Sequence, residues 1–173
     1  MGVKKKLTAL RERGELTNNF YDKKVFSKMK ATLGGNVRIM LTGSAPIAGE
    51  TLDFLKICFC CPLVEGYGMT ETSGGSVLAF PHDKKTGHCG GPVANCKVRL
   101  RDLPEMGYKH TNTPPTGEVL FFGPSVMKGY FRNPEKTKEA FHDGWLCSGD
   151  VGRIHPNGAI SVIDRAKNIF KLQ

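Results

Sequence analysis

The spacing of apolar residues changes character at Phe80, and that change restricts the chain to two architectures in succession. Upstream, Val37-Arg-Ile-Met-Leu-Thr42 is a short β-favouring run, and Pro62-Leu-Val-Glu-Gly66 is a second. Between them Gly49 to Cys60 has helical spacing, with Leu52, Leu55 and Cys58 aligned. Strand, helix, strand is the order of a parallel βαβ unit, whose strand ends carry the ligand loops. Downstream, Gly and Pro recur and strand-like runs are short: Lys97 to Leu100, Glu118 to Phe122, Gly152 to His155 and Ile160 to Ile163. That texture predicts an antiparallel, barrel-like lobe. Pro156-Asn-Gly158 is its best hairpin turn signal.

The predicted fold class is therefore α/β, the end of a parallel βαβ lobe followed by a small antiparallel, distorted β-barrel lobe. Ahead of both, Val3 to about Leu33 is polar with apolar residues at helical spacing (Leu7, Leu10; Phe20, Val25, Phe26, Met29, Leu33), broken near Gly14 and closed by Gly34-Gly35. The expected organisation is a helical segment at 1–36, an α/β lobe at 37–90, a barrel-like lobe at 91–163 and a charged connector at 164–173. The chain ends two residues after Lys171, which reads as a truncation.

With 39% hydrophobic residues, the 173-residue chain has the composition of a water-soluble globular protein. No window approaches the run of about 18 to 20 apolar residues that a membrane-spanning helix needs, and Met1-Gly-Val-Lys-Lys-Lys6 lacks the apolar stretch of a secretory signal. A cytosol-facing location is expected. The six cysteines, Cys58, Cys60, Cys61, Cys89, Cys96 and Cys147, have no paired CxxC spacing, so buried thiols are expected rather than zinc ligands. A net charge of +9 suits a protein that meets polyanions. The densest basic run, from Lys4 to Lys30, is mixed with acids and lacks interleaved aromatics, which fits a solvated helix face and argues against nucleic acid.

Two loops carry the chemical interest. Gly66-Tyr-Gly-Met-Thr-Glu-Thr-Ser-Gly-Gly75 packs glycines, hydroxyls, a carboxylate and an aromatic ring into ten positions after a buried strand. Glycines such as Gly68 let backbone amides approach an anion, hydroxyls bond phosphate oxygens, and a carboxylate holds magnesium against them. A tyrosine ring offers a face for a nucleobase. An ordinary Gly-rich turn capped by Thr and Ser satisfies the same composition. The second segment, Asp143-Gly-Trp-Leu-Cys-Ser-Gly-Asp150, ends in an acid at the start of a strand. Such an acid can accept both hydroxyls of a ribose, or it can bond its own backbone in a turn. Arg165 and Lys167 on the connector can meet a ribose, a phosphate or only solvent.

Order along the chain decides between these readings. Thr42-Gly-Ser-Ala-Pro46, Glu65-Gly-Tyr-Gly-Met-Thr-Glu71, Gly117-Glu118, Gly129-Tyr-Phe131 with Pro134-Glu135, Asp143-Gly-Trp145, Ser148-Gly-Asp150 and Asp164-Arg165 follow one another as in the adenylate-forming superfamily, which this chain resembles over residues 37–173. Asp143-Gly-Trp-Leu through Ile163-Asp-Arg-Ala-Lys-Asn-Ile-Phe-Lys-Leu172 resembles the eukaryotic long-chain fatty acyl-CoA synthetases, with Cys147 and Ser148 where His and Thr are common.

The resemblance implies a role for each matching residue. Gly43, Ser44, Ala45 and Pro46 would line the adenine and acyl pocket, Tyr67 would lie against adenine, and Gly68 would stand among the nucleotide-contacting positions. Thr70 would bond a phosphate oxygen and Glu71 would hold Mg2+; Asp150 would take the ribose hydroxyls, Arg165 would assist at ribose or phosphate, and Lys167 would be the hinge. The implied co-substrates are ATP, coenzyme A and a long-chain fatty acid, joined through acyl-AMP. The implied setting is the endoplasmic reticulum or another organelle membrane, touched peripherally. The family's Ser/Thr/Gly-rich phosphate loop ending in Lys and its mobile C-terminal domain have no counterpart in the 173 residues, so the expectation is part of a larger enzyme, inactive by itself. A sister ligase for short-chain, medium-chain or aryl acids and a non-catalytic nucleotide-binding remnant are the alternatives.

Overall fold

Helix α1 (Gly2–Arg13) opens the chain in a computed structural model that describes residues 2–166. The chain divides into two units, Met1–Glu65 with Ala79–Gly87 and Gly66–Leu78 with His88–Gln173. In the first, α1 is followed by α2 (Asn19–Lys24), α3 (Ser27–Thr32), β1 (Met40–Thr42), α4 (Gly49–Phe59) and the start of β2 (Leu63–Met69). Asn18 caps α2 by accepting from the Phe20 and Tyr21 amides. α4 stops at Cys60, which turns the backbone left-handed at φ 54°. β1 pairs in parallel with β2 from Met40↔Leu63 to Thr42↔Glu65, so the expected strand–helix–strand unit is formed.

Leu10, Phe26, Ile57, Cys58 and Cys60 make the core of this unit. At its centre lies a charge. Lys6 is only 2% exposed, and its ammonium bonds Asp22 Oδ1, the Ile57 carbonyl at 3.3 Å and Cys60 Sγ at 3.3 Å, 4.9 Å from the centre of the Phe26 ring. A buried ammonium is tolerated only with such partners. The basic run therefore does not act wholly as a solvated face, since one of its lysines ties α1 to α2 and α4. The apolar spacing downstream is also only partly buried. Phe26 faces the core, but Phe20, Val25, Met29 and Leu33 are exposed, as are Ile39 just before β1 and Leu41 within it.

The second unit holds the end of β2, then β3 (Gly74–Leu78), β4 (Gly91–Pro92), β5 (Lys97–Arg101), β6 (Thr116–Phe122), α5 (Pro134–Ala140), β7 (Phe141–His142), β8 (Trp145–Ile154) and β9 (Ile160–Arg165). Every strand pairing inside it is antiparallel. β6 is buried from Thr116 to Phe121, which its apolar run Val119-Leu-Phe121 permits, and it lies between β5 and β8. Val119 and Phe121 pack with Val77, Cys96, Leu146 and Ile160 in the core. Among the described residues no helix is long and apolar enough to cross a membrane.

The fold class expected from the sequence is the one formed, but two boundaries move. Gly66–Gly75 is not a loop: β2 runs on to Met69, a 3-10 turn covers Thr70–Thr72, and β3 begins at Gly74. Asp143–Asp150 is not a loop either, because β8 starts at Trp145 and Asp150 lies within it. α5, capped by Asn133 accepting from the Lys136 amide, has Pro134 in its first turn, a start signal that the apolar pattern does not reveal. Burial pushes the pKa values of the Cys58, Cys60, Cys61 and Cys96 thiols up and keeps them protonated.

Burial alone would raise the Asp22 carboxyl, but hydrogen bonds from Lys6 and the Asn18 amide outweigh it and hold the group below its ordinary 3.8. The stabilisation is complete above that value and is lost as pH falls through the lower folded one. Lys6→Met should destabilise the first unit by about 3 kcal/mol, because it strands Asp22, whereas Lys6→Met with Asp22→Leu should recover most of that loss. Urea unfolding at pH 7 measures both, and equal stabilities of the single and double variants would contradict the account.

Candidate functional site

β2 enters the second unit with Gly66, Tyr67, Gly68 and Met69, and the backbone there is crowded. A Cβ on Gly68 would lie 1.9 Å from the Gly74 carbonyl oxygen and 2.8 Å from Gly75 Cα, so only glycine fits. The pairing shifts register between Tyr67 and Gly68, a bulge that re-aims the side chains on either side of it. Thr72 Oγ1 closes the turn, accepting from the Met69 amide at 3.1 Å within reach of the Met69 and Gly74 carbonyls at 3.0 and 2.8 Å.

The Tyr67 ring packs against Phe121 with centroids 5.6 Å apart, and its hydroxyl donates to Asp150 Oδ2 at 2.8 Å. Burial pushes the Tyr67 phenol well above its ordinary 10.0; the Ser148 contact opposes that rise and the Asp150 charge adds to it. Tyr67 is thus a fixed donor. The other oxygen of Asp150 faces Arg165 Nε at 3.3 Å, across the β8–β9 pair in which the two residues are register partners. Ser148 Oγ accepts from the Asp150 amide at 3.0 Å.

Three residues beyond Tyr67, the 3-10 turn begins; it presents Thr70 to solvent and leaves Glu71 half-buried. Glu71 Oε1 accepts from the Tyr130 hydroxyl at 2.8 Å, and its carbonyl accepts from the Met127 amide at 2.7 Å. Ser73 Oγ donates to the Ser125 carbonyl at 2.9 Å, so the segment Ser125–Tyr130 grips the turn at three points. The hydrogen bond to Glu71 raises the Tyr130 phenol. Glu71 Oε2 takes no hydrogen bond from the described residues, which leaves it able to bind a cation. Among the described residues no group of three or more His, Cys, Asp or Glu could hold a metal ion. A single carboxylate of this kind suits a Mg2+ that arrives with phosphates, which needs only one or two carboxylates.

Tyr67, Asp150 and Arg165 are thus brought into one contact group, with Gly68, Thr70 and Glu71 on the turn that follows Tyr67. Gly43 to Pro46 belongs to the first unit, where it is an exposed loop after β1 with Ser44 left-handed at φ 68°. Lys167 lies outside the described residues. Tyr130 and Glu118 received no role from the sequence, although both stand in the ordered motifs Gly129-Tyr-Phe131 and Gly117-Glu118; that placement was the available signal.

The AMP-binding enzyme family model matches residues 5–131, and the chain belongs to that family. It is 50% identical over 173 residues to fatty acyl-CoA synthetase A of Dictyostelium discoideum, covering 99% of this chain and 26% of that protein. Over 154 residues it is 47% identical to long chain acyl-CoA synthetase 5 of Arabidopsis thaliana, covering 88% of this chain and 23% of that one. The chain spans about a quarter of the length of these relatives. Among solved structures, O-succinylbenzoate coenzyme A synthetase from Bacillus subtilis, in complex with ATP and magnesium ion, superposes with a TM-score of 0.63 at 29% identity, covering 81% of this chain and 30% of that one.

Two substitutions follow from this geometry. Tyr67→Phe should cost about 1 to 2 kcal/mol by removing the donor to Asp150. The Tyr67 contribution is present in full below pH 10.0 and lost as pH rises through the raised folded value, so the variant's stability should fall less steeply in alkali. Parallel alkaline profiles for the two proteins would contradict this. Gly68→Ala should cost at least about 3 kcal/mol, since the atom it would crowd is backbone. A thermal melt within a few degrees of the parent would show that the hairpin can open to admit a methyl group.

Proposed function

We propose that the chain carries part of the nucleotide-binding machinery of an acid–thiol ligase that activates long-chain fatty acids with ATP. The reading rests above all on the joining of Tyr67, Asp150 and Arg165, 2.8 and 3.3 Å apart, with Glu71 four residues along the same segment. An acid fixed between a donor and a cation, beside the half-buried Tyr67 ring, matches a nucleoside better than a structural ion pair. The relatives named as fatty acyl-CoA and long chain acyl-CoA synthetases support the substrate class.

In this reading the Tyr67 ring lies along adenine, Asp150 accepts the ribose hydroxyls, and Arg165 lies at the ribose or α-phosphate. Thr70 donates to a phosphate oxygen, and Glu71 holds the Mg2+ that accompanies ATP, with Tyr130 fixing one carboxylate oxygen. Bound Mg2+ supplies neutralisation of phosphate charge. The fatty carboxylate attacks the α-phosphorus, the bond to pyrophosphate breaks, and acyl-AMP forms. The coenzyme A thiol then attacks the acyl carbonyl, losing its proton as AMP departs. Carboxylate and phosphate repel, so the protein contributes mainly by position and by preorganised charge. Fatty acids partition into lipid, so the proposal extends to peripheral contact between the whole protein and an organelle membrane.

Asp150→Ala should weaken AMP binding by roughly 10- to 100-fold, and Glu71→Gln should raise the Mg2+ concentration needed for pyrophosphate release by roughly tenfold. Calorimetry, and a pyrophosphate assay of the whole enzyme that contains this chain on palmitate, octanoate, acetate and benzoate, test the reading. Preference for acetate or benzoate would replace the long-chain assignment with a sister ligase, and AMP affinity indifferent to Asp150→Ala would refute the site.

A further inference from the structure

The pairing of β8 breaks at the residue that matters most. Glu118 pairs with Val151 and Leu120 with Cys147, so one residue of β6, Val119, stands opposite three of β8, Ser148, Gly149 and Asp150. On its other edge β8 changes partner over the same stretch, from β7 at Trp145 and Leu146 to β9 from Asp150 onward. Ser148 and Gly149 thus have no cross-strand register partner on either side, and Gly149 is left-handed at φ 73°. A bulge of this kind needs something to hold its freed amide.

That something is a buried side chain. Glu118 is 3% exposed, and its Oε1 accepts the Gly149 N–H at 3.0 Å while Oε2 pairs with Arg101, its register neighbour on β5. One carboxylate oxygen is committed to the backbone of the bulge and the other to the Arg101 guanidinium. Asp150, next in the chain after Gly149, is then delivered between Tyr67 and Arg165.

We propose that Glu118 is the positioning residue for Asp150: by replacing the missing ladder partner of Gly149 it fixes the bulge and so sets the geometry in which Asp150 meets a ribose. Glu118 touches no substrate in this account. The proposal rests on the reading of Asp150 as the ribose acceptor, and the experiment separates the two. Dissociation constants for AMP and for 2′,3′-dideoxy-AMP, which lacks both ribose hydroxyls, are measured for the protein and for Asp150→Ala, Glu118→Leu and the neutral pair Glu118→Gln with Arg101→Leu. Amide hydrogen exchange across residues 146–152 is followed without nucleotide.

Glu118→Leu should reduce the preference for AMP over the dideoxy nucleotide by roughly tenfold, toward the value for Asp150→Ala, and speed exchange at Gly149 by at least about tenfold. The neutral pair, which keeps an acceptor for the Gly149 N–H, should retain both properties to within about twofold. The neutral pair also carries the comparison if Glu118→Leu does not fold: its preference and its slow Gly149 exchange must survive, and loss of either overturns the proposal. If Asp150→Ala leaves the preference unchanged, the ribose reading fails and the exchange data alone judge Glu118. If Asp150→Ala abolishes the preference while Glu118→Leu alters neither preference nor exchange, the ribose reading stands and the positioning role is overturned.

Discussion

The antiparallel pairing of β6 with β8 is the constraint from which the second unit takes its form. β6 is buried from Thr116 through Phe121, so it cannot slip by one residue without moving Glu118 into the place of Val119 or Gly117. With β6 fixed, the extra residues must appear on β8, and they appear where β8 exchanges β7 for β9. Asp150 acquires its direction there, and Tyr67 and Arg165 meet it from β2 and β9. The polar group at the centre of the candidate site is thus a consequence of sheet geometry before it is a matter of chemistry.

The order of elements was legible because each has a local cause. Apolar spacing at Leu52 and Cys58 sits on α4, and Pro156-Asn-Gly158 does lie between β8 and β9, the turn that the dipeptide Asn-Gly announces. Tyr67, Asp150 and Arg165, which the structure joins, were singled out by the succession of motifs, of which only the part up to Phe131 lies within the family match over residues 5–131. What could not be read is what depends on a distant segment. Nothing in Gly66-Tyr-Gly68 says that the Gly74 carbonyl will pass 1.9 Å from where a Cβ would be, so a closely packed strand pair looked like an open loop. Nothing in Ser148-Gly-Asp150 says that a glutamate 31 residues away will take the Gly149 amide, so a bulged strand looked like a loop.

The helical segment teaches a related lesson. Helical spacing gives a direction for each side chain but not the surface it meets, and Phe26 is buried while Met29 and Leu33, on the next turns, are exposed. Charge is subject to the same limit. Lys6 belongs to a run that reads as surface, yet Asp22 on α2, the Ile57 carbonyl on α4, Cys60 at the end of α4 and the Phe26 ring at the start of α3 enclose its ammonium. Composition cannot distinguish the one enclosed lysine from Lys4 and Lys5 beside it, which are exposed.

The cysteines that close α4 give this protein an internal gauge. Cys58, Cys60 and Cys61 are buried and held in the unreactive thiol form, so an alkylating reagent reaches them only when the first unit opens. Cys96 is buried in the core of the second unit under the same restraint. The two sets can be told apart by peptide mass, so one labelling time course yields two opening rates from the unaltered chain. Whether the units breathe together or separately is therefore recorded in sulfur chemistry that the sequence already supplies.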